Sequence, residues 1–128
     1  MRQPGGVLFF DGACGMCTRS RDLLLKLDRT GELQTAPLQQ PGTAERLGFA
    51  PEHLMDSVRW LDSTGRVYSG AEAANAALSA ALGTVLPLAV YRIPGVKAVQ
   101  DAIYRWVADH RHRFPGTTPY CESHPVAC

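Results

Sequence analysis

The sequence lacks a long uninterrupted hydrophobic run. Its first apolar run, Val7–Phe10, is four residues long, and the stretch Val85–Val90 is interrupted by Pro87. A secretory signal peptide needs about 7–15 consecutive apolar residues, and a membrane-spanning helix needs about 20. We therefore expect neither a signal peptide nor a membrane anchor, and we expect a cytoplasmic protein.

An excess of charge of either sign is also absent. The chain has 13 Lys and Arg residues and 12 Asp and Glu residues, which leaves a formal net charge of +1. Proteins that bind nucleic acid or anionic membranes electrostatically carry a basic patch or stripe. The balanced charge therefore predicts neither nucleic acid nor a membrane as a partner.

Cysteine is scarce as well, because the chain of 128 residues has only four. Small secreted domains that are built on disulfides contain far more. The apolar fraction of 45% and the charged fraction of 20% are those of an ordinary globular domain. In a reducing compartment, cysteines that lie close together are more often catalytic or metal-binding than structural. The placement of Cys14, Cys17, Cys121 and Cys128 is therefore the informative feature.

Hydrophobic periodicity predicts alternating strands and helices. The predicted elements are a strand at Val7–Phe10, a helix that begins at the first cysteine pair and ends before Gly31, a weak strand at Leu33–Ala36, a short helix at Thr43–Leu47, a hairpin of Ser57–Leu61 and Arg66–Tyr68, an alanine-rich helix at Ala71–Leu82, and a helix from Pro94 to about His112. This order indicates one α/β domain over residues 1–128. We expect a core over 7–83, a helical extension over 84–114 and a tail over 115–128.

Side-chain patterns make more specific predictions for three helices. Ser69 followed by Glu72 matches the capping box, in which the two side chains satisfy backbone N–H groups at a helix start. The first helix shows an apolar side that includes Leu23 and Leu27, with Arg21 facing water. In the last helix, apolar residues recur at steps of three and four and make one apolar stripe; they are Val96, Val99, Ile103, Trp106 and Val107.

The first cysteine pair, Cys14 and Cys17, lies where the first strand gives way to a helix. Cysteines three residues apart on a first helical turn face the same side. The partial positive charge of a helix N-terminus favours a thiolate at Cys14, and a thiolate is the form that attacks a disulfide. Cys17, one turn further, is expected to be more buried and to act as the resolving thiol. This spacing after an apolar strand in an α/β pattern indicates redox chemistry.

These residues resemble a known family. The segment Asp11-Gly12-Ala13-Cys14-Gly15-Met16-Cys17 is similar to the signature of the DCC thiol-disulfide oxidoreductases. Further similar segments, within a resemblance that spans residues 7–121, are the Asp62–Gly65 turn, Val67–Gly70, Ile93-Pro94, Tyr104-Arg105 and Arg111.

The resemblance implies a thioredoxin-like mixed sheet flanked by helices, with extra C-terminal helices. It implies dithiol chemistry at Cys14 and Cys17, with Asp11 as the third motif residue. The implied substrate is a disulfide-containing protein or small molecule, with an electron donor that the family does not specify, and no cofactor is expected. Thioredoxins place a cis-proline before the strand that faces the active site. Here that position falls near Met55–Ser57 and the nearest proline is Pro51, so we expect a different substrate groove.

The role of Asp11 has two interpretations. Its carboxylate could relay a proton to or from the dithiol. It could equally cap the turn by accepting hydrogen bonds from the backbone N–H groups of Gly12–Cys14. The two roles are compatible with each other.

The C-terminal cysteines allow an alternative from another class of protein. Cys14, Cys17, Cys121 and His124, or Cys128 as a substitute ligand, would give the four ligands of a structural zinc site in an interaction module. Without a metal, the simplest expectation is a frayed tail whose thiols are incidental. A tail thiol that folds back to exchange with the first pair is a further possibility.

Overall fold

The computed structural model describes residues 6–31, 33–54, 57–110, 113 and 116–128. The strands are Gly6–Phe10 (β1), Gln34–Pro37 (β2), Arg59–Asp62 (β3) and Val67–Ser69 (β4). The helices are Gly15–Leu27 (α1), Thr43–Leu47 (α2), Pro51–Leu54 (α3), Gly70–Leu82 (α4), Leu86–Tyr91 (α5), Pro94–Asp109 (α6) and Tyr120–Ser123 (α7), followed by a 3₁₀ turn at Pro125–Ala127.

The strands form one mixed sheet in the order β2-β1-β3-β4. β1 is parallel to β2 and antiparallel to β3, and β3 is antiparallel to β4. Parallel neighbours need a crossover connection, which α1 supplies between β1 and β2. The predicted thioredoxin-like mixed sheet flanked by helices is confirmed, as are the additional helices toward the C-terminus.

The central strand β1 is covered on both faces. Leu8 belongs to the core cluster that contains Trp60 and the alanines of α4, whereas Phe9 belongs to a second cluster with Leu38 and Leu47. Because successive side chains of a strand point to opposite faces, this division follows from the pleat. The uninterrupted apolar run of the sequence is therefore a strand at the centre of the molecule, as predicted.

The predicted capping box at the start of α4 is wrong. The Ser69 side chain makes no cap hydrogen bond, and its Oγ accepts a hydrogen bond from Arg59 Nη1 at 2.5 Å instead. Glu72 faces Arg92, with 3.8 Å between the carboxylate and the guanidinium. The sequence matches the capping-box pattern, but the Ser69 hydroxyl is bound by Arg59, a buried arginine on the neighbouring strand β3. The predicted end of α4 at Gly83 is confirmed, with a left-handed φ of 72°.

The apolar stripe of α6 is only partly covered, because Val96 and Val107 are partly buried and the other three residues are exposed. Val99, Ile103 and Trp106 are 58%, 57% and 56% exposed. Of this helix, Tyr104 packs against the main core cluster, and its hydroxyl accepts a hydrogen bond from the Val58 N–H at 3.0 Å. Periodicity therefore predicts the helix correctly but not which side is covered. Within the described ranges, no helix combines the length and apolar character needed to cross a membrane.

Leu23 and Leu27 of α1 are exposed rather than packed on the core, because the neighbouring leucines of that helix take the inner face. The short helices α3 and α7 are not predicted, since four residues carry no periodic signal. α6 ends at Asp109; the predicted end near His112 lies outside the described residues, as do Met55 and Asp56.

Overpacking of the alanine face of α4 should destabilise the fold. Ala76 is fully buried in the main core cluster, so Ala76→Leu forces a larger side chain against the sheet and should lower the free energy of unfolding by about 1–3 kcal/mol. The matched control Ala98→Leu adds the same atoms to an exposed position of α6 and should stay within about 0.5 kcal/mol of the parent. Urea unfolding measures both. Equal effects of the two substitutions would contradict this packing.

Candidate active site at the start of helix α1

The chain leaves β1 through a tight turn that the Asp11 side chain holds. The Cys14 N–H donates to the Asp11 carbonyl at 3.1 Å, and the Ala13 N–H donates to Asp11 Oδ1 at 3.0 Å. A carboxylate that accepts from the backbone two residues ahead is a common device for stabilising turns. Asp11 is buried. This contact is of the turn-capping kind, while the proton-relay role of Asp11 stays a prediction.

Cys14 is the residue that caps α1. Its backbone is extended (φ −103°, ψ 121°), and its Sγ accepts a hydrogen bond from the Cys17 N–H at 3.3 Å. The first N–H groups of a helix have no partner within the helix, and together with the helix dipole they attract negative charge. The sulfur of Cys14 therefore occupies the place that a serine or aspartate oxygen takes in an ordinary helix cap.

Cys14 and Cys17 are both thiols and both partly buried. That Cys17 is the more buried of the two stays a prediction. Cys17 lines a cavity of about 320 Å³ that also borders Asp11. Most of the other lining side chains are apolar; they include Leu8, Phe10, Leu24, Leu38 and Tyr104. The structure thus brings together the three residues that the sequence singles out.

Gln39 belongs to the same site, although the sequence reasoning missed it. Its Nε2 donates to Asp11 Oδ1 at 2.7 Å, and its Oε1 accepts from the Gly12 N–H at 2.9 Å. One amide therefore links the carboxylate to the backbone of the turn. Gln39 follows β2, which is parallel to β1, and parallel strands end at the same edge of a sheet. The sequence signal that could have identified Gln39 is the pair of polar residues, Gln39 and Gln40, that follows shortly after β2.

The C-terminal tail, residues 116–128, docks on this turn and on α1. The Thr117 N–H donates to the Gly15 carbonyl at 3.2 Å, and the Tyr120 N–H donates to Thr18 Oγ1 at 3.1 Å. The Cys121 N–H donates to the carbonyl of Gly12 at 2.9 Å. The expectation of a frayed tail is therefore wrong, because these contacts hold it against the cysteine-bearing turn.

Tyr120 anchors the tail through aromatic contacts. Its ring meets Phe10 edge to face, with 5.3 Å between centroids, and the Arg21 guanidinium lies 5.1 Å from the Tyr120 ring centroid. The His124 ring stacks on the Tyr120 ring, with 4.3 Å between the two centroids. Arg21 of α1, which was expected to face water, is thus partly buried under the tail. Cation–π contacts of this kind favour the docked tail.

Cys121 and Cys128 form a disulfide with each other. Thiolates, not disulfides, ligate zinc, so this bond removes both residues from the ligand sets of the zinc alternative. His124 is engaged with Tyr120 and Ser123. In the part of the chain that the structure describes, no three His, Cys, Asp or Glu residues are grouped closely enough to hold a metal ion.

A cysteine pair that opens a helix after a buried strand of a mixed sheet defines the thioredoxin-like class of dithiol proteins. The sequence pattern of the DCC1-like thiol-disulfide oxidoreductases matches residues 8–117, and the chain belongs to this family. A general role in thiol–disulfide redox chemistry follows. The chain is also similar to the uncharacterized protein YuxK of Bacillus subtilis (strain 168), with 27% identity over 121 residues, 92% of this chain and 86% of YuxK. No solved structure matches the chain.

The amide of Gln39 should stabilise the turn that carries the cysteines. Gln39→Leu removes the hydrogen bonds to Asp11 and to the Gly12 N–H, and should lower the free energy of unfolding by about 1–3 kcal/mol. The neighbouring Gln40 is exposed, so Gln40→Leu is a matched control that should change stability by no more than about 0.5 kcal/mol. Denaturant unfolding compares the two. If both variants lost the same stability, the contacts of Gln39 would have no special weight.

Proposed function

We propose that this protein is an enzyme that reduces or exchanges disulfides, with Cys14 as the nucleophile and Cys17 as the resolving thiol. The substrate is a disulfide of a protein or of a small molecule, and an external donor restores the dithiol. We further propose that residues 1–128 act as a single domain in the cytoplasm. Neither nucleic acid nor a membrane takes part in this reaction, and the dithiol itself carries the electrons.

The observation that carries the proposal is the hydrogen bond from the Cys17 N–H to Cys14 Sγ at the start of α1. A helix N-terminus stabilises a thiolate, which is the nucleophilic form of cysteine. The bond also fixes the two cysteines on the same helical turn, so the second sulfur is close when the first has reacted. The nucleophile and its resolving partner are therefore held in one rigid element.

The reaction proceeds in two exchanges. The Cys14 thiolate attacks one sulfur of the substrate disulfide, a Cys14–substrate disulfide forms, and the other substrate sulfur leaves as a thiolate. Cys17 then loses its proton and attacks Cys14 Sγ, which releases the second substrate thiolate and forms the Cys14–Cys17 disulfide. Two electrons pass from the dithiol to the substrate, and the two protons of the dithiol end on the released thiols.

Asp11 is proposed to handle the proton of Cys17. The two residues border the same apolar cavity, and Asp11 is buried there. A carboxylate that is withdrawn from bulk water and borders the same cavity as a reacting thiol is suited to proton transfer. Asp11 also holds the turn through its contact with Ala13, and we propose that it has both roles.

Variants of the first pair test this mechanism directly. In a chain that carries Cys121→Ser and Cys128→Ser, only Cys14 and Cys17 can react. The reduced protein should cleave hydroxyethyl disulfide, release both halves and finish with a Cys14–Cys17 disulfide. Cys14→Ser should reduce cleavage to the uncatalysed rate, because the nucleophile is lost. Cys17→Ser should release only one half and retain the other on Cys14, since the resolving thiol is absent. Thiol titration and intact mass measure these products.

Ser63→Ala is the matched control for these substitutions. Ser63 is exposed in the turn that follows β3, and that turn lies at the Gly6 end of β1, opposite the end that leads to Cys14. This variant should cleave the probe at the parental rate. The proposed function is wrong if Cys14→Ser also cleaves at the parental rate.

A further inference from the structure

The tail disulfide lies against the turn that carries the first cysteine pair. A Cβ atom built on Gly12 would come within 2.5 Å of Cys121 Sγ. The sulfur therefore fills the space that a side chain at position 12 would occupy. The hydrogen bond from the Cys121 N–H to the Gly12 carbonyl fixes this arrangement from the backbone side.

The tail contacts the chain on both sides of Cys14. Gly116 approaches the backbone of Gly15 so closely that neither glycine has room for a Cβ. Cys121 contacts Gly12, on the other side of Cys14 in sequence. Because Gly12 and Cys14 are two residues apart, their Cα atoms are separated by no more than about 7 Å. Cys121 is therefore held against a residue that lies only two positions before the proposed nucleophile.

We propose that Cys121 and Cys128 are a second redox-active pair, which exchanges its disulfide with the Cys14–Cys17 dithiol of the same chain. The structure contains both reactants of such an exchange, a dithiol in the first pair and a disulfide in the tail, and Cys121 of the disulfide contacts Gly12 of the cysteine motif. The inference rests on the proposed function, because it uses Cys14 as the nucleophile. It adds an internal acceptor of electrons to the site.

The exchange balances within the chain. The Cys14 thiolate attacks Cys121 Sγ, so that a Cys14–Cys121 disulfide forms, the Cys121–Cys128 bond breaks and Cys128 leaves as a thiolate. Cys17 then gives its proton to solvent and attacks Cys14 Sγ, which forms the Cys14–Cys17 disulfide and releases Cys121. Cys121 and Cys128 take up the two protons lost by the first pair. Two electrons move from the first pair to the tail, and no external oxidant is needed.

Two physical arguments favour exchange over a purely structural bond. Disulfides of cytoplasmic proteins are mostly transient and catalytic or redox-sensing, because the compartment is reducing. A tail tethered beside its target also reacts at an effective concentration in the millimolar range, which is far above that of a separate protein. Cys121 and Cys128 are both partly exposed, so the reduced pair can pass electrons to a disulfide outside the chain.

The Cys17→Ser variant, with the tail cysteines intact, should trap the intermediate. Attack by Cys14 stops at the mixed disulfide because the resolving thiol is missing. After incubation without added thiol in mildly alkaline buffer, acid quenching, alkylation and non-reducing peptide mapping should show a Cys14–Cys121 linkage and a newly alkylated Cys128. The linked fraction should not depend on protein concentration. The further substitution Cys14→Ser should abolish the linkage.

The wild-type chain provides a test that needs no substitution. Protein prepared with the Cys121–Cys128 disulfide and a reduced first pair should convert in part to the Cys14–Cys17 disulfide under the same conditions. Gly12→Ala, which pushes Cys121 away, should slow this conversion about tenfold, because small displacements of reacting groups have large effects on rate. Gly95→Ala is the matched control, since a Cβ at Gly95 meets nothing within 4 Å.

The proposal is wrong if wild type and Cys17→Ser both keep the Cys121–Cys128 disulfide while Cys14 stays fully alkylatable. It is equally wrong if the linkage forms only between chains, at a rate that rises with protein concentration. Neither result touches the proposed function, which depends on the cleavage of hydroxyethyl disulfide by Cys14 in the chain without tail cysteines. The two proposals can therefore fail separately.

Discussion

The position of Cys14 depends on how β1 is held in the sheet. β1 pairs with β2 along one edge and with β3 along the other, and its last three side chains are buried. A strand restrained in this way fixes the point at which the chain leaves the sheet. The turn and α1 follow directly, so the Cys17 N–H in the first turn of the helix is directed at the Cys14 sulfur. The proposed chemistry thus rests on a strand whose own residues take no part in it.

Two remote segments converge on the turn between β1 and α1. Gln39 arrives from the end of β2 and ties Asp11 to the backbone, and the C-terminal tail arrives from the opposite end of the sequence. Gly12 and Gly15 make this convergence possible, because sulfur or backbone atoms of the tail occupy the space of their missing side chains. The glycines of the cysteine motif therefore serve close approach, and the site combines a rigid nucleophile with a covering segment.

Local sequence patterns predicted the centre of the site. They did not predict the contacts between residues that are far apart in the sequence. The buried strand, the helix start and the cysteine spacing are all signals within a few neighbouring residues, and the structure has each of them. The bond between Gln39 and Asp11 spans 28 residues, and that between Tyr120 and Thr18 spans 102. No periodicity encodes such pairings. The exposure of Val99, Ile103 and Trp106 in α6 has a related reason. An apolar helix face in the sequence does not specify which other element, if any, packs against it.

A redox titration with disulfide mapping tests the central claim, that Cys14 and Cys17 act as one redox pair, most directly. Wild-type protein is equilibrated in glutathione buffers of graded ratio, quenched with acid, alkylated and mapped. The account predicts that Cys14 and Cys17 lose their reactivity together, in a single two-electron transition that ends in a Cys14–Cys17 disulfide. Two thiols that persist across the whole range, or that acquire glutathione independently of each other, would contradict it.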